Sequence, residues 1–511
     1  MTTRYSLFDN ILRVSLPDED TVSLPRILNL LGAGEKLDFA GLQAYQQYAW
    51  HAFLVQVASL AAYRSGFSDL AVAESVWRSA LLELSGKAGE AAWCLLNSDL
   101  AQPAFLQPPV PEGSLKTFKR VMETPDALDV LVAAKNHDVK QSRILRPKPD
   151  HWVYALVTLQ TIEGFMGRGN YGIARMNGGF GSRPSLGFAA GLDWSQRFQR
   201  DVGTWLQERS RLIDHYGYPQ SGGAALLWLQ PWDGQEQVPL RTCDPFFIEV
   251  CRRVRLRETG QGLEAVFRPS KGTRVAVHKD HKGSTGDIWS PVHKTTDAVL
   301  SVSRSGFSYR LLNRVLFKGD YKHNPALQIQ DLGSDEPLLV AQVLARGQGV
   351  TEGYHERVVP LTLRAKRFLA LAEEREKLAE RAQDWVDRAQ TAEHRVLHPA
   401  ICCLLQGGAD DLDLRDQRTH PWLDRLDRAI DRVFFQDLWE SLESDQDPVR
   451  AWEERLVNLA QRELKDAVAA CPTPLARSPR ARARAELRFW GAARKHLAQA
   501  FEKTGKKEDR E

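Results

Sequence analysis

The chain has 511 residues, of which 43% are hydrophobic and 26% are charged, and its formal net charge at pH 7 is only +3. This composition excludes a disordered chain and predicts a globular protein of about two to four domains. The near-neutral charge also excludes a bulk polycation, so any nucleic-acid surface must be a local patch.

The N-terminal stretch MTTRYSLFDN has no apolar core of the kind found in signal peptides. The most apolar early run, residues 49–63, is interrupted by His51 and Gln56. Six cysteines are scattered without C-x-x-C pairs, which is typical of core thiols in a reducing compartment. We therefore expect a cytoplasmic protein with no membrane segment.

In chain order, the first 360 residues mix helical and strand-like patterns. Helices are predicted at 38–64, 68–85, 151–165 and 192–213, and strands at 224–230, 247–255, 262–268, 338–345 and 354–361. This alternation of hairpins and helices predicts an α+β domain in which antiparallel hairpins are more common than βαβ units.

Beyond Pro360 the pattern becomes helical throughout, with apolar residues three, four or seven apart in 361–398 and in the stretches that follow Pro421, Pro448 and Pro479. Four such helices predict a C-terminal four-helix bundle, so the expected domains are 1–360 and 361–511. The last helix carries six cations that we expect to spread around its cylinder, either as a solvated face or as a nucleic-acid contact. They are Arg480, Arg482, Arg484, Arg488, Arg494 and Lys495.

The segment RMNGGFGSRPSLG, residues 175–187, combines four glycines with two arginines. Ser182, Arg183 and Pro184 follow its last clustered glycine and exclude a Walker P-loop, and the proline also opposes the helix that a dinucleotide-binding motif needs. Glycines beside arginines favour an anionic or flat ligand held against exposed main-chain N–H groups. The alternative is a tight surface loop without a ligand.

Three further stretches are candidates for binding. KNHDVKQSRILRPKPDHW, residues 135–152, is the densest basic patch before the bundle, and VHKDHKGSTGDIW, residues 277–289, places Lys279 and Lys282 in a polar turn. In 338–361, two apolar runs flank R-G-Q-G, which predicts a hairpin with Gln348 at its tip between Gly347 and Gly349. A glutamine at such a tip can hydrogen-bond base edges or enter a base step, or it can be a solvated turn.

Signals for catalysis are weak. His137 and Asp138 are adjacent, as in some metal nucleases, but no further ligands at suitable spacing accompany them. His394 and His398 lie four apart without the glutamate of H-E-x-x-H, and there is no G-x-S-x-G motif. We expect a protein that is not an enzyme and needs no metal or cofactor, with a metal-dependent nuclease using His137 and Asp138 as the alternative.

Together these stretches resemble the CasA family, the large subunits of the type I-E Cascade, a CRISPR RNA-guided surveillance complex. The most specific similarity is in KNHDVKQS and LVTLQTIEGFMGRGNYGIARMNGGFGSRP, with support from LLWLQP at 226–231, TCDPFFIEVC at 242–251 and the hairpin before the bundle. The opening LFDNILRV at 7–14 departs from the family, because it lacks the usual tryptophan and proline.

The resemblance implies an α+β domain and a four-helix bundle that recognise a protospacer-adjacent motif in double-stranded DNA from the minor groove and help to open it. It places the glycine loop at Asn177, Gly178, Gly179, Phe180 and Gly181. It places a DNA wedge at Gln348, flanked by Gly347 and Gly349, and a minor-groove lysine at Lys279 or Lys282. Since the minor groove carries a more degenerate pattern of donors and acceptors than the major groove, we expect several trinucleotides to be accepted.

The resemblance also implies partners: crRNA, the backbone, crRNA-end and small subunits of Cascade, and a recruited helicase-nuclease that cuts the DNA. A loop that contacts the crRNA end and the complex would comprise Lys135, Asn136, His137, Lys140 and Arg143. Charge alone suggests a path for the displaced strand along Arg304, Arg310, Arg314 and Lys318. A scaffold subunit that does not read a motif remains open beside these roles.

Overall fold

The computed structural model describes residues 5–129, 144–176, 179–329, 332–334, 336–347, 350–470 and 478–502. The chain forms two compact units: unit 1 comprises Met1–Phe307 and Asp320–Pro360, and unit 2 comprises Ser308–Gly319 and Leu361–Glu511. Residues 308–319 thus interrupt unit 1, whereas the sequence-based boundary treats 1–360 as one domain. The predicted α+β class, with a helical C-terminal region, is confirmed.

Unit 1 contains helices α1 to α6 and strands β1 to β14. The helices are α1 Leu24–Gly32, α2 Gln47–Ser65, α3 Glu74–Ser85, α4 Pro125–Leu128, α5 Pro149–Ile162 and α6 Trp194–Tyr216. The strands are β1 Leu12–Arg13, β2 Thr21–Val22, β3 Arg120–Met122, β4 Ser185–Ala189, β5 Ala224–Leu226, β6 Val238–Pro239, β7 Cys243–Ile248, β8 Arg253–Thr259, β9 Gly262–Arg268, β10 Val275–Ala276, β11 Val292–His293, β12 Tyr321–Lys322, β13 Leu338–Gly347 and β14 Val350–Pro360.

Helix α2 is the centre of unit 1 and packs against α3, α5, α6 and β7. Its sequence is apolar on every side, so almost the whole helix is buried. The two polar residues that interrupt this run are buried with partners: His51 pairs with Asp201, and Gln56 Nε2 donates to the carbonyl of Phe247 at 2.8 Å. His51 and Gln56 are therefore core residues of unit 1. Among the helices in the described part of the chain, none is long and apolar enough to cross a bilayer.

Two three-stranded antiparallel sheets dominate the strands, with orders β14-β13-β4 and β3-β9-β8. The predicted hairpins at β8–β9 and β13–β14 are present, and a register shift between Ala345 and Arg346 marks a bulge near the second tip. Strand β4 was not predicted, because Pro184 and Gly187 read as loop signals in the sequence. The pairs β5–β7 and β6–β10 are parallel, which the sequence pattern did not indicate.

Unit 2 is a helical bundle. Its helices are α7 Tyr309–Leu316, α8 Leu363–Ala370, α9 Ala372–Thr391, α10 His398–Leu405, α11 His420–Glu443, α12 Pro448–Ala470 and α13 Ser478–His496. A π-helical segment, Ala392–Leu397, joins α9 to α10, so the four long helical segments of the predicted bundle are α9–α10, α11, α12 and α13. The indoles of Trp385 and Trp452 stack at 4.5 Å in the bundle core, and Trp452 Nε1 donates to the carbonyl of Trp385.

A buried network ties α2 to α6 and to the loop that precedes β11. His51 Nε2 lies 2.9 Å from Asp201 Oδ2, and Trp289 Nε1 donates to the same oxygen at 2.8 Å. Burial lowers the pKa of His51. Burial alone would raise the pKa of Asp201, but the hydrogen bond to His51, the charge of Arg200 and the hydrogen bond from Trp289 together lower that pKa.

We expect this network to weaken the fold in acid. Below pH 6.5 the unfolded chain protonates His51, whereas the folded chain does not, so the free energy of unfolding falls as the pH drops towards the lowered pKa. Replacing His51→Gln should reduce the loss of stability between pH 7 and pH 5 by about 1 kcal/mol, measured by urea unfolding followed through tryptophan fluorescence. His496→Gln, at an exposed position, is the matched control, and equal pH dependence of the two variants would contradict the assignment.

Candidate functional site

In the glycine-rich segment, the residues that follow α5 form backbone hydrogen bonds with residues further along the same segment. The amide of Gly164 donates to the carbonyl of Gly181 at 3.0 Å, and the amide of Ile173 donates to the carbonyl of Glu163 at 2.9 Å. Glu163 also forms a β-bridge with Ser182. Backbone hydrogen bonds therefore hold the described parts of the segment after α5 together.

Three of its glycines are required by packing. A Cβ atom would lie 2.2 Å from the carbonyl oxygen of Gly181 if placed on Gly164, and 2.3 Å from the carbonyl carbon of Gly164 if placed on Gly172. On Gly181 it would lie 2.7 Å from the hydroxyl of Ser301. Gly179 differs, because a Cβ there would meet no heavy atom within 4 Å and the residue is exposed. Packing does not explain the glycine at 179, which leaves open space for a ligand to approach its backbone.

Phe180 is the exposed side chain of the loop. Its ring is 38% exposed and lies 5.6 Å from that of Phe165, and its carbonyl accepts a hydrogen bond from Ser301 Oγ at 3.2 Å. Gly179 and Phe180 thus form an exposed edge on a supported loop. Asn177 and Gly178, the other two predicted loop residues, lie outside the described residues.

Arg175 and Arg183, the two arginines of residues 175–187, do not face outward. Arg175 Nη1 pairs with Glu249 at 2.9 Å, and Arg183 Nε pairs with Asp287 at 2.5 Å, with all four side chains buried. Burial alone would raise the pKa of Asp287, but the charge of Arg183 outweighs it and lowers that pKa. The interpretation that these arginines point to an anionic ligand is therefore wrong, because they anchor the loop to the core of unit 1.

The hairpin is joined to the glycine segment just below its tip. Arg346 forms a salt bridge with Glu163 in which both side chains are 0% exposed, and Arg346 Nη2 also donates to the carbonyl of Asp129 at 3.0 Å. Ser182 Oγ donates to the carbonyl of Leu344 on the same strand. The structure therefore brings the predicted loop and the base of the predicted wedge together.

The tip itself is described only in part. Gln348 and Gly349 lie outside the described residues, whereas Gly347 ends β13. A Cβ on Gly347 would lie 2.7 Å from Oε1 of the exposed Glu352 across the hairpin, a side chain that can move aside. The sequence pattern predicted the hairpin but missed the ion pair below its tip. The signal for Arg346 was a charged residue within an otherwise apolar strand, and its partner Glu163 follows α5.

Of the two candidate lysines, Lys282 is the one linked to the loop. Lys279 and Lys282 are both exposed, and the carbonyl of Lys282 accepts a hydrogen bond from the amide of Val299 at 3.1 Å. Two residues further along, Ser301 holds the carbonyl of Phe180. Lys279 lies three residues before this connection. The backbone of Lys282 is thus connected to that of Phe180 through the hydrogen bond from Val299, residues 299–301 and the hydrogen bond from Ser301.

The other predicted residues lie either outside the described residues or in two different units. Lys135, Asn136, His137, Asp138, Lys140 and Arg143 lie outside the described residues. Arg304 belongs to unit 1, whereas Arg310, Arg314 and Lys318 belong to unit 2. Arg310 is already engaged, since its Nη2 lies 2.8 Å from Glu393 and 3.0 Å from Asp427, which weakens the predicted strand path.

Chemical groups for catalysis are also sparse in the described part of the chain. Within it, no cluster of three or more His, Cys, Asp and Glu side chains has a geometry that could hold a metal ion. The described cysteines are all buried, in agreement with the expectation of core thiols; they are Cys94, Cys243, Cys251, Cys402 and Cys403.

Comparison with solved structures identifies the fold. CasA from Thermus thermophilus is 16% identical and superposes with a TM-score of 0.63, covering 96% of this chain and 100% of its own. The Cse1 structures from Thermobifida fusca (15% identity, TM-score 0.64, 97% and 99% coverage) and Acidimicrobium ferrooxidans (14%, 0.62, 98% and 99%) are similar to the same extent. No protein-family model and no curated protein sequence matches the chain.

The chain therefore has the architecture of a CRISPR-associated protein, over almost its whole length. More specifically, its fold is the CasA (Cse1) fold, as the resemblance in the central sequence blocks predicted.

Two glycine substitutions should separate packing from exposure. Gly172→Ala forces a Cβ into the backbone of Gly164 and should lower the free energy of unfolding by about 2 kcal/mol. Gly179→Ala, which meets open space, should change it by less than about 0.5 kcal/mol. Chemical denaturation of both variants measures this, and equal effects would contradict the distinction between the two glycines.

The buried ion pair under the hairpin should be costly to break. Arg346→Met leaves the Glu163 carboxylate buried without its cation and should destabilise unit 1 by about 3–5 kcal/mol, while the double variant Glu163→Gln/Arg346→Met should recover part of the loss. Arg257→Met, which removes an arginine that is 48% exposed and paired with Glu264, is the control and should cost less than about 1 kcal/mol. A loss in Arg346→Met no larger than in this control would refute the role of the pair.

Proposed function

We propose that this chain is the large subunit of a type I-E Cascade, a crRNA-guided complex that surveys double-stranded DNA, and that it recognises the protospacer-adjacent motif. The observation that carries the proposal is the exposed edge of Gly179 and Phe180, held by hydrogen bonds beside the base of a glycine-tipped hairpin. The shared CasA fold supports the same role. The chain acts as a binding subunit, and a separate helicase-nuclease cuts the DNA.

The exposed edge suits the minor groove. That groove is only about 6 Å wide and presents mostly hydrogen-bond acceptors, so its reader needs a thin backbone and N–H donors. At Gly179 there is no side chain to clash with the groove walls, and the carbonyls of the next two residues, Phe180 and Gly181, are held by hydrogen bonds from Ser301 and Gly164. Because A·T and T·A look alike from this side, recognition accepts several trinucleotides.

The hairpin supplies the wedge. Separating a base step costs on the order of a few kcal/mol, so a side chain that enters the stack needs a support that does not yield. The buried Arg346–Glu163 pair and the Ser182–Leu344 hydrogen bond give the strand before Gln348 that support. Gln348 occupies the opened step while pairing with the guide replaces the lost base pairs, and no ATP or metal is needed for this exchange.

Lys282 is the cation that accompanies the loop into the groove. It is exposed, and its backbone is connected through Val299 and Ser301 to the carbonyl of Phe180. A lysine there contacts phosphates or acceptor edges beside the motif, and contributes a slope of about 0.9 in log affinity against log salt for each phosphate neutralised.

The complex around the chain contains crRNA and the backbone, crRNA-end and small subunits of Cascade. The basic stretch at residues 135–143 contacts the crRNA end and neighbouring subunits in this proposal. Recruitment of the helicase-nuclease follows once the target strand has paired with the guide.

The test uses the reconstituted crRNA-loaded complex and matched duplexes with a permissive or scrambled adjacent trinucleotide. Gly179→Asp should lower affinity for the permissive duplex about tenfold or more, since it places a charge against the groove. Gln348→Ala should slow strand opening, followed by a fluorescent base analogue in the first paired step. Gly260→Asp, which adds the same charge in the open turn between β8 and β9, should resemble wild type.

The comparison of Lys282→Gln with Lys279→Gln in the same assay identifies the groove lysine. If Gly179→Asp and Gln348→Ala behave like the control Gly260→Asp, these two residues do not read the motif, and the proposed role as the large subunit of Cascade is kept. A wild-type complex that ignores the trinucleotide would instead establish a scaffold subunit. Metal-dependent DNA cleavage by the purified chain, lost in His137→Ala, would establish a nuclease.

A further inference from the structure

Helix α13 of unit 2 carries its positive charge on one side. At about 100° per residue, Arg480, Arg484, Arg488, Arg494 and Lys495 fall within an arc of about 120°, which we call the basic face. The opposite side packs into the bundle and is buried at Ala481, Ala485, Phe489 and Ala493. The expectation that these charges spread around the cylinder is therefore wrong for all of them except Arg482.

Several cations of the basic face are available to a partner. Arg484 Nη1 is held by the carbonyl of Gly408 and the carboxylate of Asp410, and Arg488 Nη2 donates to the carbonyl of Asp410. Arg480, Arg494 and Lys495 are exposed, and no ion pair links them to another residue in the described ranges.

The charge in this region is concentrated. Residues 478–502 contain six arginines and lysines but only two glutamates, whereas the whole chain has a net charge of only +3. The rest of the molecule is therefore close to neutral. A surface with this excess of fixed cations attracts a polyanion, and the attraction weakens with salt.

Aromatic rings border one end of the basic face. Phe501 is 38% exposed, and its ring lies 6.3 Å from that of half-buried Trp490. The guanidinium of Arg494 lies 5.9 Å from the centroid of the Phe501 ring. Leu487, which is 75% exposed, and Gly491, where a Cβ would meet nothing within 4 Å, lie between the cations on the same side. The face thus combines cations with exposed apolar surface and an open gap.

We propose that the basic face binds single-stranded nucleic acid, with its cations on successive phosphates and a base against Phe501. The face extends about 22 Å along the helix, which accommodates several nucleotides of one strand. Cations alone would suit any polyanion, but an aromatic ring beside them favours a strand whose bases are unpaired and free to stack. This site lies in unit 2 and does not rest on motif recognition by the glycine loop of unit 1.

The test measures binding of the full-length chain to fluorescein-labelled oligothymidylate over about 50–200 mM salt. The variant Arg480→Gln/Arg494→Gln/Lys495→Gln should lose about tenfold in affinity, and its slope of log affinity against log salt should fall by about 2, at about 0.7 per cation. The control Arg432→Gln/Arg462→Gln/Lys465→Gln removes the same charge from exposed positions of α11 and α12 and should retain wild-type binding. Thermal melting checks that both variants fold.

Two further arms decide what the face recognises. Phe501→Ala should weaken binding of the single strand at least about fivefold while leaving binding of a duplex of the same length unchanged. Polyglutamate, an acidic chain without bases, should compete poorly with the oligonucleotide. The proposal is overturned by equal affinities of the two triple variants, by binding of the duplex as tight as that of the single strand, or by full competition from polyglutamate.

Discussion

The buried ion pair between Glu163 and Arg346 is the interaction on which the candidate site depends. Glu163 ends α5 and begins the glycine segment, and Arg346 lies at the bulge below the hairpin tip. Both side chains are fully buried, and two charges removed from water are tolerated only when each meets its partner in good geometry. The pair therefore allows one relative position of loop and hairpin, and it transfers that constraint to two segments that are distant in sequence.

The glycines of the glycine segment serve two purposes: some allow close packing, and others leave the backbone accessible. Gly164, Gly172 and Gly181 are small because neighbouring backbone or a serine hydroxyl occupies the space of a side chain, whereas Gly179, like Gly167, faces open space. The nearby arginines reinforce the first purpose, since their ion pairs with Glu249 and Asp287 hold the loop against the core. The result is a thin edge at Gly179 and Phe180 whose support comes from buried ion pairs and packed glycines.

The two proposed surfaces differ in their chemistry. The loop of unit 1 offers main-chain groups and one aromatic ring, whereas α13 of unit 2 offers a row of cations beside an aromatic ring. The first suits base edges in a duplex, where shape decides, and the second suits the backbone of a single strand, where charge decides. Under the proposed function, DNA is opened and both forms have to be held, so the two proposed surfaces are compatible within one subunit.

Periodicity and turn chemistry by themselves determined much of this protein. The helical C-terminal region, the β13–β14 hairpin and the α+β class were all predicted, because each depends on residues close together in sequence. Tertiary structure alone decided that Arg175 and Arg183 point inward, that Lys282 connects to Phe180, and that residues 308–319 join unit 2. These outcomes depend on partners such as Glu249, Asp287 and Val299, which lie tens of residues or more away from the loop in sequence and come near only when the core closes.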